Sequence, residues 1–193
     1  MAEAQSALRS LNLNPCSCVL RSIDEKDREA RYICTIGSLK EGTVKKMLLA
    51  VLFSNSEGNI LIERFHGVPA EERLHWRSFL VKLGADNLKG AKNEELFVAS
   101  HKSVYIVYAV LGDVCIYLVG KDEYDELALA EVMFVITSSV KDACGKPPTE
   151  PLFLDKYGKI CLCLDEIVWK GMLENTDKDR IRRLIRLKPP TDV

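Results

Sequence analysis

The sequence has little of what marks a catalytic or cofactor-binding centre. It contains only three histidines, His66, His75 and His101, and none is spaced as in a zinc-binding H-E-x-x-H helix. The two glycines of GSLKEGTVKK are not followed by the Lys-Ser or Lys-Thr of the phosphate-binding pattern G-x-x-x-x-G-K-[ST], and the G-x-S-x-G and dinucleotide-binding patterns are missing. These absences predict a protein that is not an enzyme and that binds no metal or cofactor.

An excess of positive charge and a long apolar run are also missing. The chain has 27 Lys and Arg against 28 Asp and Glu, so binding to nucleic acid through its phosphates is not expected. No apolar run reaches the roughly 20 residues that span a bilayer. The N-terminus lacks the basic start and apolar stretch of a secretory signal. We therefore expect a cytoplasmic protein.

The seven cysteines are an odd number, and without a secretory signal they are expected to be reduced thiols. They include two C-x-C pairs, Cys16/Cys18 and Cys161/Cys163. Alternate residues of a strand share a face, so two such pairs could form a four-thiolate metal site. Burial of these cysteines as small apolar residues is the favoured interpretation.

The apolar runs predict five strands. MLLAVLF is continuously apolar, which is typical of a strand covered on both faces. SNSEGN then predicts a turn, and the short connections HKS and LGD predict antiparallel hairpins. The predicted strands are 47–53, 60–65, 95–101, 103–110 and 113–120.

The helical patterns predict four helices around this sheet. The first begins after Pro69 and ends at Gly84, and the third is stopped by Gly171. The stretch 151–158 is predicted to be a connector. The predicted helices are 70–83, 126–145, 159–170 and 177–187. Together the elements predict an α+β fold, a five-stranded antiparallel meander sheet sandwiched by helices.

The predicted helix 126–145 is apolar around nearly its whole circumference, so it should be buried on all sides. One face is expected on the sheet, and the other needs a cover from this chain or from a partner. We therefore expect Met133→Asp or Phe134→Asp to abolish folding or assembly. Trp76 and Trp169 are candidate interface anchors, because Trp is favoured at binding hot spots, and packing in the core is the alternative for each.

Two charged features could suggest chemistry. The adjacent carboxylates Asp165 and Glu166 point about 100° apart on a helix, so we expect one to pair with a basic side chain and the other to face water rather than a catalytic dyad. The basic run from Arg180 to Lys188 could touch phosphates or acidic lipid headgroups. It is more simply the solvated face of an amphipathic helix.

The order of predicted elements resembles the longin (SNARE-like) arrangement. LVGKDEYDELALAEVMFVI (118–136) and LCLDEIVWKGMLENTD (162–177) resemble the strand-to-helix passage and the closing pattern of the adaptor and coatomer small subunits, the sigma and zeta chains. The resemblance covers about residues 45–187. The first 45 residues and the segment after ILIERF depart from typical sigma chains. These departures suggest a divergent relative, of the kind found in the plant TPLATE (TSET-type) complex.

The resemblance implies a domain at 46–188, an N-terminal extension at 1–45 and a short tail at 189–193. It also implies a non-catalytic subunit of a heterotetrameric vesicle-coat adaptor. Its partners would be a large adaptin-like helical-repeat subunit and a medium subunit. Through the complex, the chain would associate peripherally with the plasma membrane or with Golgi and coated vesicles, in clathrin-mediated endocytosis or protein transport. The candidate partner-binding residues are Trp76, Phe79, Met133, Phe134 and Trp169.

The resemblance also raises the binding of acidic dileucine sorting signals. Sigma chains hold such signals beside the end of the long helix, where this sequence has Lys146, Pro147 and Pro148. The prolines change the backbone there, so binding through this pocket is not expected.

Three alternatives to an adaptor small subunit remain. They are a coatomer zeta subunit in Golgi–ER transport, a longin platform of a GTPase-regulating or tethering complex, and an enzyme that uses a cysteine thiol of depressed pKa.

Overall fold

A computed structural model of the chain describes residues 18–20, 48–101, 103–121, 124, 126–145 and 147–186, with the side chains of 18–20, 184 and 185 left out. The strands are β1 Cys18–Leu20, β2 Leu48–Asn55, β3 Ile60–Phe65, β4 Leu96–His101, β5 Val104–Leu111, β6 Val114–Lys121, β7 Val168–Trp169 and β8 Met172–Leu173. The helices are α1 Ala70–Asn87, α2 Glu126–Cys144, α3 Glu150–Asp155, α4 Tyr157–Ile167 and α5 Lys178–Arg186.

The main sheet is antiparallel throughout, with the strand order β1-β4-β5-β6-β2-β3. The five predicted strands and the α+β class are confirmed. A sixth, three-residue strand extends the predicted sheet, because β1 pairs with the outer edge of β4, with Cys18 opposite Ala99. This short strand lies within the predicted N-terminal extension, whose boundary stays a prediction.

Helices cover both faces of the sheet, as the unbroken apolar run of β2 predicts. Ala50 and Leu52 belong to one hydrophobic cluster, which β2 shares with Leu80 of α1. Val51 and Phe53 alternate with them and belong to a second cluster, which includes the buried residues of α2 and α4. The sheet therefore separates α1 from α2.

The second face of α2 is covered by this chain itself. Helices α4 and α5 both pack on α2, and Ile160 of α4 and Ile181 of α5 are buried in the same cluster as Met133. The sequence left open whether this chain or a partner covers the second face of α2, and the structure shows that this chain covers it. The all-round apolar pattern of α2 does not by itself require a partner.

The sequence predicts that α1 ends at Gly84, but the structure shows that it does not. The helix continues to Asn87, and the backbone N–H of Leu88 donates to the carbonyl of Gly84 at 2.8 Å. A Cβ added to Gly84 would overlap the Tyr117 hydroxyl oxygen and lie 2.9 Å from the Tyr117 Cζ. Glycine is needed here because a buried aromatic ring packs directly on the helix backbone.

The predictions for 151–158 and 159–170 are also partly wrong. The predicted connector forms α3, which accommodates Pro151 in its first turn, where the missing N–H has no helical partner. Helix α4 ends at Ile167 and is followed by the β7–β8 hairpin. Lys170 and Gly171 form its turn with φ of 50° and 81°, the left-handed values that favour glycine. The backbone N–H of Leu48 donates to the Gly171 carbonyl at 2.7 Å, which ties this hairpin to the sheet.

Candidate partner-binding surface

Exposed apolar side chains are concentrated in one segment of the described chain. Of six exposed large hydrophobic residues, four lie between positions 154 and 169. They are Leu154, Tyr157, Leu162 and Trp169, and the other two are Leu74 on α1 and Leu127 on α2. Single exposed hydrophobic residues need no explanation, but a concentration of them is typical of a binding surface.

The local sequence of α4 explains why Leu162 points outward. The helix buries Ile160, Cys163, Leu164 and Ile167. Since successive helical residues turn by about 100°, these four share one face and Leu162 falls on the opposite one. Leu162 is 62% exposed, although its sequence neighbours are apolar.

Asp165 and Glu166 are held by different partners. The Asp165 Oδ1 accepts a hydrogen bond from Arg64 Nε of β3 at 3.3 Å. Glu166 Oε1 accepts one from Asn175 Nδ2 at 2.9 Å and lies 3.7 Å from Arg180 Nε. The expectation that one of the pair only faces water is wrong, because both are paired. Each carboxylate links α4 to another segment, and the arrangement is structural.

Trp169 lies in the hairpin that follows α4 and is 53% exposed. The Lys170 Nζ is 5.5 Å from the centroid of the Trp169 ring, a distance at which a cation and an aromatic face attract each other. The hairpin therefore presents an aromatic ring and a cation together at the surface.

Trp76 and Phe79 lie on the opposite side of the sheet, on α1. Their ring centroids are 6.0 Å apart, and the Phe79 ring lies 4.9 Å from the ring of the buried His101. Both aromatic residues are only partly exposed. They therefore join α1 to the end of β4 and leave only part of each ring for contact with another molecule.

Met133 and Phe134 are neighbours on α2 with different surroundings. Met133 is 1% exposed, within the core. Phe134 is partly exposed, and the Lys178 Nζ of α5 lies 3.6 Å from its ring centroid. Burial lowers the pKa of Lys178. The structure thus brings Trp76 and Phe79 together, and it places Met133, Phe134 and Trp169 on the other side of the sheet.

The sequence alone did not single out Leu154 and Leu162. The signal that could have found Leu162 is the spacing of Ile160, Leu164 and Ile167, which already defines a complete buried stripe. A further leucine outside that stripe must face away from the core.

The helix α5 carries a row of cations, and several of them are paired. Arg182 Nη2 is 2.8 Å from Asp142 Oδ2 of α2, and Arg180 pairs with Glu166. Arg183 and Arg186 are exposed, whereas Lys188 lies outside the described residues. The row therefore serves partly to fasten α5 to α2 and α4.

The segment after α2 is hydrogen-bonded to the turn between β5 and β6. Lys146 lies outside the described residues. Pro148 is buried, and its carbonyl accepts a hydrogen bond from the backbone N–H of Asp113 at 3.1 Å.

Three of the described thiols have a raised pKa, which disfavours a nucleophilic thiolate. Burial raises the pKa of Cys163 to about 12, and burial also raises the pKa values of Cys115 and Cys144. A reactive cysteine needs a depressed pKa instead.

The four-thiolate metal site considered from the sequence assumed that the C-x-C pairs lie on strands. Cys161 and Cys163 lie on the helix α4, about 200° apart, so this geometry does not apply to them. No cluster of three or more potential metal ligands occurs among the described residues.

We expect iodoacetamide at pH 8 to alkylate Cys163 at least about tenfold more slowly in the folded protein than in urea, because few thiols ionise at a pKa far above the pH. Peptide mass spectrometry after timed quenching measures each site separately. Free cysteine in the same tube controls for the reagent. Equal rates in folded and urea-treated protein would contradict the burial of this thiol.

No helix in the described part of the chain combines the length and the apolar character needed to span a membrane.

Comparison with known proteins identifies relatives among coat subunits. No family model matches the sequence. The chain is 32% identical to TSET complex member tstD of Dictyostelium discoideum over 144 residues, which cover 74% of this chain and 94% of that protein. It is 24% identical to coatomer subunit zeta-3 of Oryza sativa subsp. japonica over 131 residues, 68% of this chain and 74% of the relative.

The fold has a counterpart in an adaptor complex. A chain in a homology model of the full-length AP-3 complex, in a stretched open conformation, superposes with a TM-score of 0.53 at 17% identity. The match covers 72% of this chain and 91% of that one, and at this identity it shows the fold alone. The identity to tstD extends over nearly the whole of that relative. The chain therefore belongs to the small-subunit family of adaptor and coatomer complexes.

Proposed function

We propose that the chain is the non-catalytic small subunit of a heterotetrameric TSET-type coat complex. It binds a large adaptin-like helical-repeat subunit and completes the core together with a medium subunit. The observation that carries the proposal is the 32% identity to a TSET complex member across 94% of its length. Through the complex, the chain associates peripherally with the plasma membrane in clathrin-mediated endocytosis or with other trafficking membranes.

The structure supports a scaffold role in two ways. The chain covers its long helix α2 by itself, with α4 and α5, so it presents a formed surface to a partner. Second, exposed apolar residues are concentrated in the surface segment from Leu154 to Trp169. Stable subunit interfaces need such residues at their centre, where they exclude water.

Mild affinity purification of the tagged chain from its own cells, followed by mass spectrometry, tests this proposal. We expect two large helical-repeat chains and one medium chain in equal amounts with the tagged protein, and one shared peak in size-exclusion chromatography. Recovery of the chain alone, as a soluble monomer, would refute the proposal.

A coatomer zeta subunit in Golgi–ER transport is the second candidate. It is favoured by the identity to the rice zeta-3 chain and by a 34% identity over 94 residues to probable coatomer subunit zeta-B of Dictyostelium discoideum. The second match spans only 46% of this chain and 52% of the relative. The identity of the large chains in the purification distinguishes the two candidates, since coatomer chains would be recovered only in this second case.

A further inference from the structure

We propose that Leu154, Gly158 and Leu162 form a docking face for one helix of the large subunit, an apolar helix flanked by acidic side chains. This inference rests on the proposed function and locates part of the interface that the function requires. We call this set the Leu-Gly-Leu face.

The three residues are spaced by four positions, the spacing that places helical residues in one row. Leu154 is in α3 and the other two are in α4, with Lys156 between the helices. The helical hydrogen bonding continues across this junction. The backbone N–H of Lys156 donates to the Leu152 carbonyl at 3.1 Å, and that of Ile160 donates to the Lys156 carbonyl at 3.0 Å. The row is therefore one continuous ridge of side chains, with a notch at Gly158, where the side chain is missing.

Nothing within the described chain explains a glycine at position 158. Gly158 is exposed, and a Cβ added there would have no heavy atom within 4 Å. Its φ is not in the positive range that favours glycine. Glycine in a helix destabilises it relative to alanine, so the position has no benefit for the isolated fold. Close approach of another backbone is a function that glycine serves in such a place.

The leucines on either side of the notch supply the apolar contact. Leu154 is 49% exposed and Leu162 is 62% exposed. A helix that crosses the row at Gly158 can approach closely and pack its side chains between the two leucines, as ridges pack into grooves. A partner helix therefore fits both the small residue and the exposed leucines.

The charge around this face defines the chemistry of the partner. Residues 154–162 carry Lys156 and Lys159 against Asp155, so the segment has one excess positive charge in a chain whose net charge is −1. Lys156 pairs with Asp155 at 2.6 Å and the nearby Asp165 pairs with Arg64, so the excess charge is that of the exposed Lys159. Electrostatic complementarity then favours acidic side chains at the edges of the partner helix.

The same charge disfavours a second copy of this chain as the occupant. A two-fold dimer would bring the same surface patch of both copies together, and the Lys159 side chains of the two copies would then lie close to each other. An anionic membrane would match Lys159, but it would not explain the notch, because lipid tails need no glycine for contact. A helix of a protein partner accounts for the leucines, the glycine and Lys159 together.

Binding of the chain to the large chain recovered in the purification tests this face. The variants are Leu162→Gln and Gly158→Gln, and the control is Leu74→Gln on α1, where the exposed leucine lies across the sheet. We expect Kd to rise at least tenfold for both test variants and to stay within twofold for the control. The thermal midpoint of free Leu162→Gln should stay close to that of the wild type, and that of Gly158→Gln should be equal or higher, because neither position is packed in the free chain and glutamine is a better helix former than glycine.

Three other outcomes would overturn this inference. If the wild type binds the large chain and both variants bind equally well, the face is wrong while the proposed function stands. If the wild type does not bind, the proposed function fails as well. If Leu162→Gln instead abolishes sedimentation of the free chain with phosphatidylserine vesicles and leaves binding to the large chain unchanged, the face contacts a membrane.

Discussion

Met133→Asp is expected to unfold the chain. Met133 is 1% exposed and lies in the apolar cluster that α2 shares with the sheet and with α4. A carboxylate there loses its hydration and gains no partner within an apolar core, which costs several kcal/mol. We expect a loss of more than about 4 kcal/mol in the free energy of unfolding. That is comparable with the roughly 5–15 kcal/mol that holds a domain together. Urea unfolding followed by circular dichroism measures it.

Two further variants separate burial from charge. Met133→Leu keeps the apolar volume and should cost less than about 1.5 kcal/mol. Phe134→Asp should be tolerated better than Met133→Asp, because Phe134 is partly exposed and the Lys178 Nζ, which lies 3.6 Å from its ring centroid, would be a partner for the carboxylate. If Met133→Asp remained as stable as Met133→Leu, the buried position of α2 would be contradicted. The sequence pattern treats the two neighbours alike, and only the packing distinguishes them.

The strands and the long helix could be predicted because their formation depends on the local sequence pattern. The run at 47–53 is apolar without interruption, and the apolar residues of 126–145 cover nearly the whole circumference of a helix, so both segments must be buried whatever surrounds them. The faces that they bury, and the chain segments that cover them, depend on contacts distant in sequence. The cover of α2 by α4 and α5 therefore remained open until the fold was known.

The errors have a common physical origin in tertiary contacts. Gly171 was predicted to stop a helix, but the two positive φ values at Lys170 and Gly171 form a hairpin turn whose carbonyl binds β2. β1 pairs with β4 through its backbone, which leaves no mark in side-chain periodicity. Among the exposed residues of the candidate surface, Trp169 could be singled out by its type, whereas Leu162 is found only once Ile160, Leu164 and Ile167 are recognised as the complete buried face of α4.

Gly84→Ala is expected to destabilise the protein, although alanine is the better helix former by about 1 kcal/mol. The added Cβ would overlap the Tyr117 hydroxyl oxygen and lie 2.9 Å from its Cζ. The ring has little room to move, since Tyr117 is 2% exposed and stacks on Tyr108, which stacks on Phe97. Overpacking of this kind costs about 1–3 kcal/mol. Urea unfolding should therefore show a lower free energy of unfolding for this variant.

Gly158→Ala is the matched control, because its added Cβ has open space. It should stabilise the free chain by up to about 1 kcal/mol through helix propensity alone. The same substitution in two helices of one protein is thus expected to have opposite signs. A stabilising effect at both positions would contradict the close packing of Tyr117 on α1.

The double variant Gly84→Ala, Tyr117→Phe identifies the atom responsible. Tyr117→Phe removes the hydroxyl oxygen, the atom nearest to the added Cβ, but leaves the ring carbons Cζ and Cε1 at 2.9 and 3.0 Å. We therefore expect a partial rescue, with a coupling free energy between the two sites of about 0.5–3 kcal/mol. Additive effects would place the cause outside this contact. A positive coupling would show that Gly84 in the last turn of α1 is packed against Tyr117, whose cross-strand pairing with Tyr108 fixes an aromatic row directly beneath the helix.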